Sequence, residues 1–515
     1  MLSPRNLLYR FRRRFGNGLR GVLSPCPHGS GGVDLDARFA VVVWWAALIW
    51  GAAQRLRQWS AGRSIWLDEA LLLENILHRS EAQLFKPLTL FQNAPIVFLE
   101  SVKECSRIFG TSEAALRLPA LICGIVALVL FGVLARRTLL DMPAALATFL
   151  FAILMPSVYY SAEVKQYSAD EAALLALTLL ALGHLQNSQR RIWPLAAVGT
   201  VAIFASHAAA FVAASTAVVF AIHALRTRKS IVPWVAVSGI WGGALLLNYF
   251  VFLRHGLHDP FLVEFWKSAF LPLPPKSFHD LSWGYDKLAA VFQSPVGFRA
   301  MGGLAVALSV VGLINWIRDD CATAFLLVGP VIGALAASAM HKYPFEGRLI
   351  LFAVPACLLF CARGWWDISQ KPTTSTRCVP AVLAVLLLLE PTHVALQTMI
   401  HPGGIEELRP VMLTVAEECR RDDVIVVGDP TCYAFDYYHD FRDKAVWNSV
   451  RAQIVIAKRG TAIQPLPRGR VWLVMTHCRS EDVELWRSSL VALGLSPQKT
   501  IDRVGAQAIL FGPSR

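Results

Sequence analysis

Apolar stretches long enough to cross a bilayer recur from Phe39 to Ile400 and then stop. A hydrocarbon core of about 30 Å takes roughly 20 mostly apolar residues to span, so this repeat sets the class of fold before any motif is read. It predicts about eleven spans, at roughly 38–54, 116–135, 143–160, 167–185, 192–207, 209–225, 231–253, 299–317, 321–340, 346–364 and 378–399. The length of 515 residues would suit three soluble domains, but a hydrophobic content of 55% argues against them. The expected fold class is a polytopic α-helical membrane protein with a C-terminal soluble α/β domain.

The net charge of +13 does not mark a nucleic-acid binder, because the basic residues punctuate the apolar runs instead of gathering on one segment. Arg10, Arg12, Arg13 and Arg14 precede the first span; later groups are Arg136/Arg137, Arg190/Arg191, Arg226/Arg228/Lys229, Arg318 and Arg363/Lys371/Arg377. Every second gap is basic, as the positive-inside rule describes. This predicts a cytoplasmic basic segment 1–37, a membrane domain 38–400 and an outer domain 401–515. Loops 55–115 and 254–298 and links 159–166 and 341–345 share that outer face. The first 36 residues have no apolar core, so the first span reads as an uncleaved signal anchor.

Ten cysteines include no C-x-x-C pair, so neither a zinc site nor a redox motif is indicated. Cys357 and Cys361, one helical turn apart in an apolar span, read as packing residues. Cys419, Cys432 and Cys478 leave room for one disulfide in the outer domain. In the first loop, Phe98, Val102, Cys105 and Phe109 recur at helical spacing, which suggests an amphipathic helix on the membrane surface. Past His401 the pattern becomes that of an α/β unit: IEELRPVMLTVAEECRR and SEDVELWRSSLVALG as helices, DVIVVGD, RVWLVMTH and QAILFG as strands. No glycine-rich nucleotide fingerprint occurs.

Three constellations carry candidate chemistry. SIWLDEALLLE places Asp68 and Glu69 together beyond the first span, after the interfacial Trp66; acidic residues that merely start a helix are the bland alternative. YYSAEVKQYSADEA sets Glu163, Lys165, Tyr167, Asp170 and Glu171 in or beside apolar segments, where charges cost roughly 2.5–3.5 kcal/mol unless they face a polar cavity. HKYPFEGR gathers His341, Lys342 and Arg348 on the outer face, with Tyr343 as a hydroxyl donor. That combination invites an anionic ligand such as a phosphate at headgroup level. His207, between two spans, and Glu390, near the end of the last, read as structural.

Together WLDEA, QNAPIVFLES with EAALRLP, YYSAEVKQY and YPFEGRLILF, over about residues 38–365 and in order, resemble the C-type (GT-C) membrane glycosyltransferases that use polyprenyl- or dolichyl-phosphate sugars. Protein O-mannosyltransferases, the lipid A aminoarabinose transferase and bacterial transferases of lipopolysaccharide sugars belong to that group. Lys165 stands where many members carry Arg, and Asn93-Ala94-Pro95 replaces a proline pair. The resemblance implies an inverting transfer to an acceptor hydroxyl with Asp68 as general base, and Glu69 orienting it or contacting the acceptor. It also implies that Glu163 binds sugar hydroxyls or assists Asp68. Lys165, Tyr343, Arg348 and Lys342 would hold the donor phosphate; Trp66, Tyr167 and His341 would line the substrate groove. The implied partners are a polyprenyl-phosphate sugar, a glycolipid, polysaccharide or protein acceptor, and the lipid bilayer of a bacterial inner membrane. An acidic pair alone is too few ligands for a dedicated metal site, so the cofactor is left unknown and a divalent cation open. The alternatives are a transporter or flippase of lipid-linked sugars, and an outer-face binding protein; no repeated halves support the former.

Overall fold

A computed structural model describes residues 35–187, 189–228, 230–256, 259–370, 378–463 and 469–513. The expectations for the N-terminal arginines, Lys229, Lys371 and Arg377 lie outside the described residues. Among those described, nine helices are long and apolar enough to cross a membrane. They are Asp36–Ser60, Glu113–Thr138, Tyr167–Gln186, Ala209–Thr227, Val232–Leu253, Gly302–Asp319, Cys321–Ala339, Gly347–Ser369 and Val379–Ile400. The other two predicted spans are shorter apolar helices, Asp141–Ile153 and Trp193–Ala205. At the first of them the chain turns extended at Leu154 and restarts as Met155–Tyr160, with Pro156 in the first turn of the new helix, where a missing N–H costs nothing.

The bundle buries one continuous apolar core that runs from Ala40 to Ala395. Its most extensive helix contact is Gly302–Asp319 against Val354–Ser369. A Cβ on Gly312 would lie 2.0 Å from the Phe360 carbonyl oxygen, and one on Gly364 would lie 1.9 Å from that of Leu308. With lipid as apolar as any side chain, such backbone approach supplies the dispersion contact that holds helices together.

The C-terminal unit is a five-stranded sheet in the order β2-β1-β3-β5-β4, with β1 (Val424–Gly428), β2 (Gln453–Ala457), β3 (Val471–Thr476), β4 (Leu495–Arg503) and β5 (Ala506–Pro513). β2, β1 and β3 run parallel; β5 and β4 are antiparallel additions. The three predicted strands are β1, β3 and β5, and the predicted helices are Leu408–Glu418 and Ser480–Ala492. β2 is an edge strand with mostly exposed side chains, and β4 carries Pro497, a bulge and four consecutive exposed residues, so neither has the apolar run that marks a buried strand. Cys419, Cys432 and Cys478 are all free thiols.

A second core joins this unit to the first loop. Ile65, Leu72, Leu73, Ile76, Phe98, Leu99 and Val102 pack in one cluster with Leu408, Met412, Phe435, Tyr438 and Trp472. The helix Ile96–Phe109 therefore turns the face of Phe98, Leu99 and Val102 into protein, which corrects the expectation of a helix laid on a membrane surface by that face; Val97, Ile108 and Phe109 are left exposed.

Replacing Gly364 by Val would drive a side chain into the backbone of the facing helix. Overpacking of this kind costs about 1–3 kcal/mol or more, so the detergent-solubilised variant is expected to melt below wild type. Gly303→Val, whose Cβ would meet nothing within 4 Å, is expected to melt with it.

Candidate functional site

The helix Leu67–His78 opens on the acidic pair, and the two carboxylates part company there because neighbouring residues on a helix project about 100° apart. Glu69 turns inward. Arg117 donates to both of its oxygens, at 2.9 and 2.6 Å, and the same guanidinium donates to the carbonyls of Arg63 at 2.7 Å and Ser64 at 3.1 Å. Glu69 also accepts the Val164 N–H at 2.8 Å. Both partners are fully buried, so Glu69 acts as a strut that ties the segment before the helix to the 163–165 turn.

Asp68 turns toward the solvent-facing side, where one oxygen lies 3.1 Å from the Lys165 ammonium and the other 2.7 Å from the Arg348 guanidinium. Burial alone would raise its pKa; Lys165 and Arg348, with His477 beyond them, outweigh burial and hold the carboxyl below the usual range. Lys165 donates in addition to Gln92 at 2.9 Å. Gln92 follows Leu90 and Phe91, two non-glycine residues in the left-handed region (φ 60° and 56°). Such conformations survive where surrounding structure over-determines them, often at functional sites. A cavity of about 260 Å³ opens beside Gln92, walled on its far side by Phe252, Asp259 and Leu262.

Glu163 accepts from the Trp66 indole at 2.8 Å, and its second oxygen is buried without a partner among the described residues. Burial, then the nearby Glu69 charge, push its pKa up, against Arg63 and Arg348. The Arg348 guanidinium sits 5.6 Å from the Trp66 ring centroid and 5.9 Å from that of Tyr167, both favourable positions for a cation over an aromatic face.

The structure thus brings together Trp66, Asp68, Glu69, Glu163, Lys165, Tyr167 and Arg348 from three separate stretches of chain. The other predicted residues sit elsewhere. Tyr343 donates its hydroxyl to the Leu349 carbonyl at 2.6 Å and packs edge-on against Phe211. His341 is exposed, with its ring 5.0 Å from Phe270, and Lys342 is half-buried on the same link. Asp170 and Glu171 are buried one turn inside the next helix, where Glu171 accepts from Ser157 at 2.7 Å. Both ring nitrogens of His207 are buried without a partner among the described residues, and burial pushes its pKa down to about 4. Glu390 accepts the Ala300 N–H at 2.7 Å. Arg117 and Gln92 were not singled out from sequence, although both lie inside quoted motifs. No group of three or more His, Cys, Asp or Glu is placed to hold a metal ion among the described residues.

Residues 94–252 match the dolichyl-phosphate-mannose-protein mannosyltransferase family. Among solved structures, the chain is similar to ArnT from Cupriavidus metallidurans bound to undecaprenyl phosphate, at 13% identity and TM-score 0.46, over 92% of this chain and 97% of that one. It is similar also to the archaeal oligosaccharyltransferase AglB from Archaeoglobus fulgidus in complex with an inhibitory peptide and a dolichol-phosphate, at 13% identity and TM-score 0.47, over 93% and 74%. No curated protein matches by sequence.

Arg117→Met would leave Glu69 as a buried charge without its cation, an arrangement that costs about 3–5 kcal/mol. We expect a large fall in the thermal midpoint of the purified protein. The double variant with Glu69→Leu, which removes both charges, is expected to recover part of that loss.

Proposed function

We propose that the chain is a membrane glycosyltransferase of the C-type class that moves a sugar from a polyprenyl-phosphate donor to an acceptor hydroxyl on the outer face of the membrane, a reading supported by the family match over residues 94–252. The observation that carries this reading is the Asp68 carboxylate bracketed by Lys165 and Arg348. A candidate base and two cations able to bind phosphate stand within one site, and these are the groups that displacement of a phosphate at an anomeric carbon calls for. The acceptor oxygen attacks that carbon, its proton passes to Asp68, and the bond from the carbon to the phosphate oxygen breaks with its electron pair on the phosphate. The configuration inverts.

A polyprenyl phosphate leaves without protonation if its developing charge is met by fixed cations. Arg348 suits a bidentate contact with phosphate oxygens, and its placement over Trp66 and Tyr167 restricts how it can swing. Lys165, anchored on Gln92, supplies a point charge. Glu163, bonded to the Trp66 indole beside Asp68 and with a raised pKa, suits a hydrogen bond to a sugar hydroxyl. The acceptor is a glycolipid, polysaccharide or protein hydroxyl. The basic groups between the spans support a cytoplasmic N-terminus with the sheet domain outside; the bacterial inner membrane is what the family resemblance implies.

The test is transfer of labelled sugar from a panel of polyprenyl-phosphate sugars to an envelope acceptor, comparing wild type with Asp68→Asn. Loss of a general base costs roughly 10²–10⁴-fold, and the variant is expected to fall by that much while still binding donor. Equal transfer by both proteins would remove Asp68 from the role of base.

A pH profile checks the electrostatics independently. The Asp68 carboxylate is held down by its cations, so it stays ionised as pH falls until its lowered pKa is reached. Removing a cation raises that pKa. Lys165→Met is therefore expected to move the acid limb of kcat/KM, which reports the free enzyme, to higher pH.

A further inference from the structure

The helix that carries Asp68 begins without a cap of its own. Trp66 occupies the cap position in extended conformation and makes no side-chain bond to the first turn. The opening N–H groups of any helix have no partner within it, and they need an acceptor from elsewhere. Here the acceptor comes from the C-terminal unit: Glu406 takes the Leu67 N–H at 3.2 Å on one oxygen, and its other oxygen lies 2.9 Å from Nδ1 of His477. Glu406 is 3% exposed. Burial pushes its pKa up, and the bonds from His477 and Leu67 work against that rise.

His477 occupies a telling place. In the sheet, β1 has β2 on one side and β3 on the other, so the connections diverge between β1 and β3. Open parallel sheets use the crevice at the carboxyl ends of such a pair for binding. His477 is the first residue after β3, has φ 51°, and keeps half of its side chain exposed. A left-handed histidine at this position marks a backbone held by its surroundings. The crevice is turned onto the segment leading into Asp68. Three neighbouring bonds reinforce the contact: Tyr438 accepts the Ile65 N–H at 2.7 Å, Glu407 accepts from the Ser64 hydroxyl at 3.0 Å, and Ser64 accepts the Arg409 N–H at 3.2 Å.

We infer that His477 and Glu406 form a positioning pair for Asp68: the C-terminal unit caps, from a distant part of the chain, the helix that carries the base. The pair acts through the Leu67 backbone and sets where the Asp68 carboxylate stands relative to Lys165 and Arg348. The catalytic centre accordingly includes the C-terminal unit as a working part. This rests on the proposed transfer and adds to it a role for residues more than 330 positions away in sequence.

The test compares His477→Ala with His477→Asn in the full-length protein. Asn keeps an amide nitrogen near the position of Nδ1 and can still donate to Glu406; Ala cannot. Small misplacements of catalytic groups cost up to about 10²-fold, so His477→Ala is expected to lower kcat by roughly 10-fold or more with donor KM within about twofold, and His477→Asn to recover most of it. Wild-type kcat in the Ala variant would overturn the proposal. So would equal losses in both variants, or a loss confined to donor KM. If the wild type transfers none of the donors offered, the proposed transfer fails, and deuterium exchange of the 64–72 peptide decides the capping claim alone. Faster exchange in His477→Ala than in His477→Asn and wild type supports it; unchanged exchange overturns it.

Discussion

The bond between Arg117 and Glu69 governs the site. Both groups are out of contact with water, and breaking the pair would strand a charge in a medium that cannot solvate it. The guanidinium also holds two carbonyls of the segment 63–64, and the carboxylate holds the N–H of Val164. Asp68 is one residue from Glu69, and Lys165 is one residue from Val164. The proposed base and one of the proposed phosphate-binding cations are therefore each next to a residue held by this pair.

Much of this could be read from the chain and some could not. The membrane repeat, the acidic pair, Glu163, Lys165 and Arg348 announce themselves because charge beside apolar segments is costly and so conspicuous. Arg117 lies in a quoted motif, yet nothing local tells that its partner is 48 residues back. Gln92 is invisible for a related reason, since its importance lies in two left-handed residues before it and a lysine 73 positions away. Tyr343 takes a hydrogen-bond partner that its neighbours in sequence do not announce. A hydroxyl beside two basic residues invites a phosphate, but the sharp turn at Pro344 and Gly347 folds it back onto the Leu349 carbonyl. The shortened helices at 141–153 and 193–205 read as full spans because hydropathy does not register where the chain turns extended.

The C-terminal unit looked from sequence like an appended domain, since the membrane pattern ends cleanly at Ile400. Its strands do form a separate sheet, but its first helix and the π-helical turn Tyr437–Arg442 share a core with the first outer loop. Salt bridges repeat the connection at the rim, where Arg409 and Arg442 both reach Glu113 while Arg409 also holds Asp443 in a two-pronged contact. A contact that combines an apolar centre with charged bonds around it behaves as one body with the element beneath it.

The placement of one carboxylate between two cations has a further meaning for the proposed reaction. Before transfer, Asp68 contributes one negative charge and Lys165 with Arg348 two positive ones, so the trio carries a single surplus positive charge, which one phosphodiester neutralises. As the sugar leaves, the phosphate gains a second negative charge while Asp68 gains a proton and loses its own. The cations exchange one anion for another, and the sum over the site stays at zero throughout. The ion pairs of Asp68 are thus one end of a relay in which negative charge crosses from carboxylate to phosphate within the reach of the same two side chains.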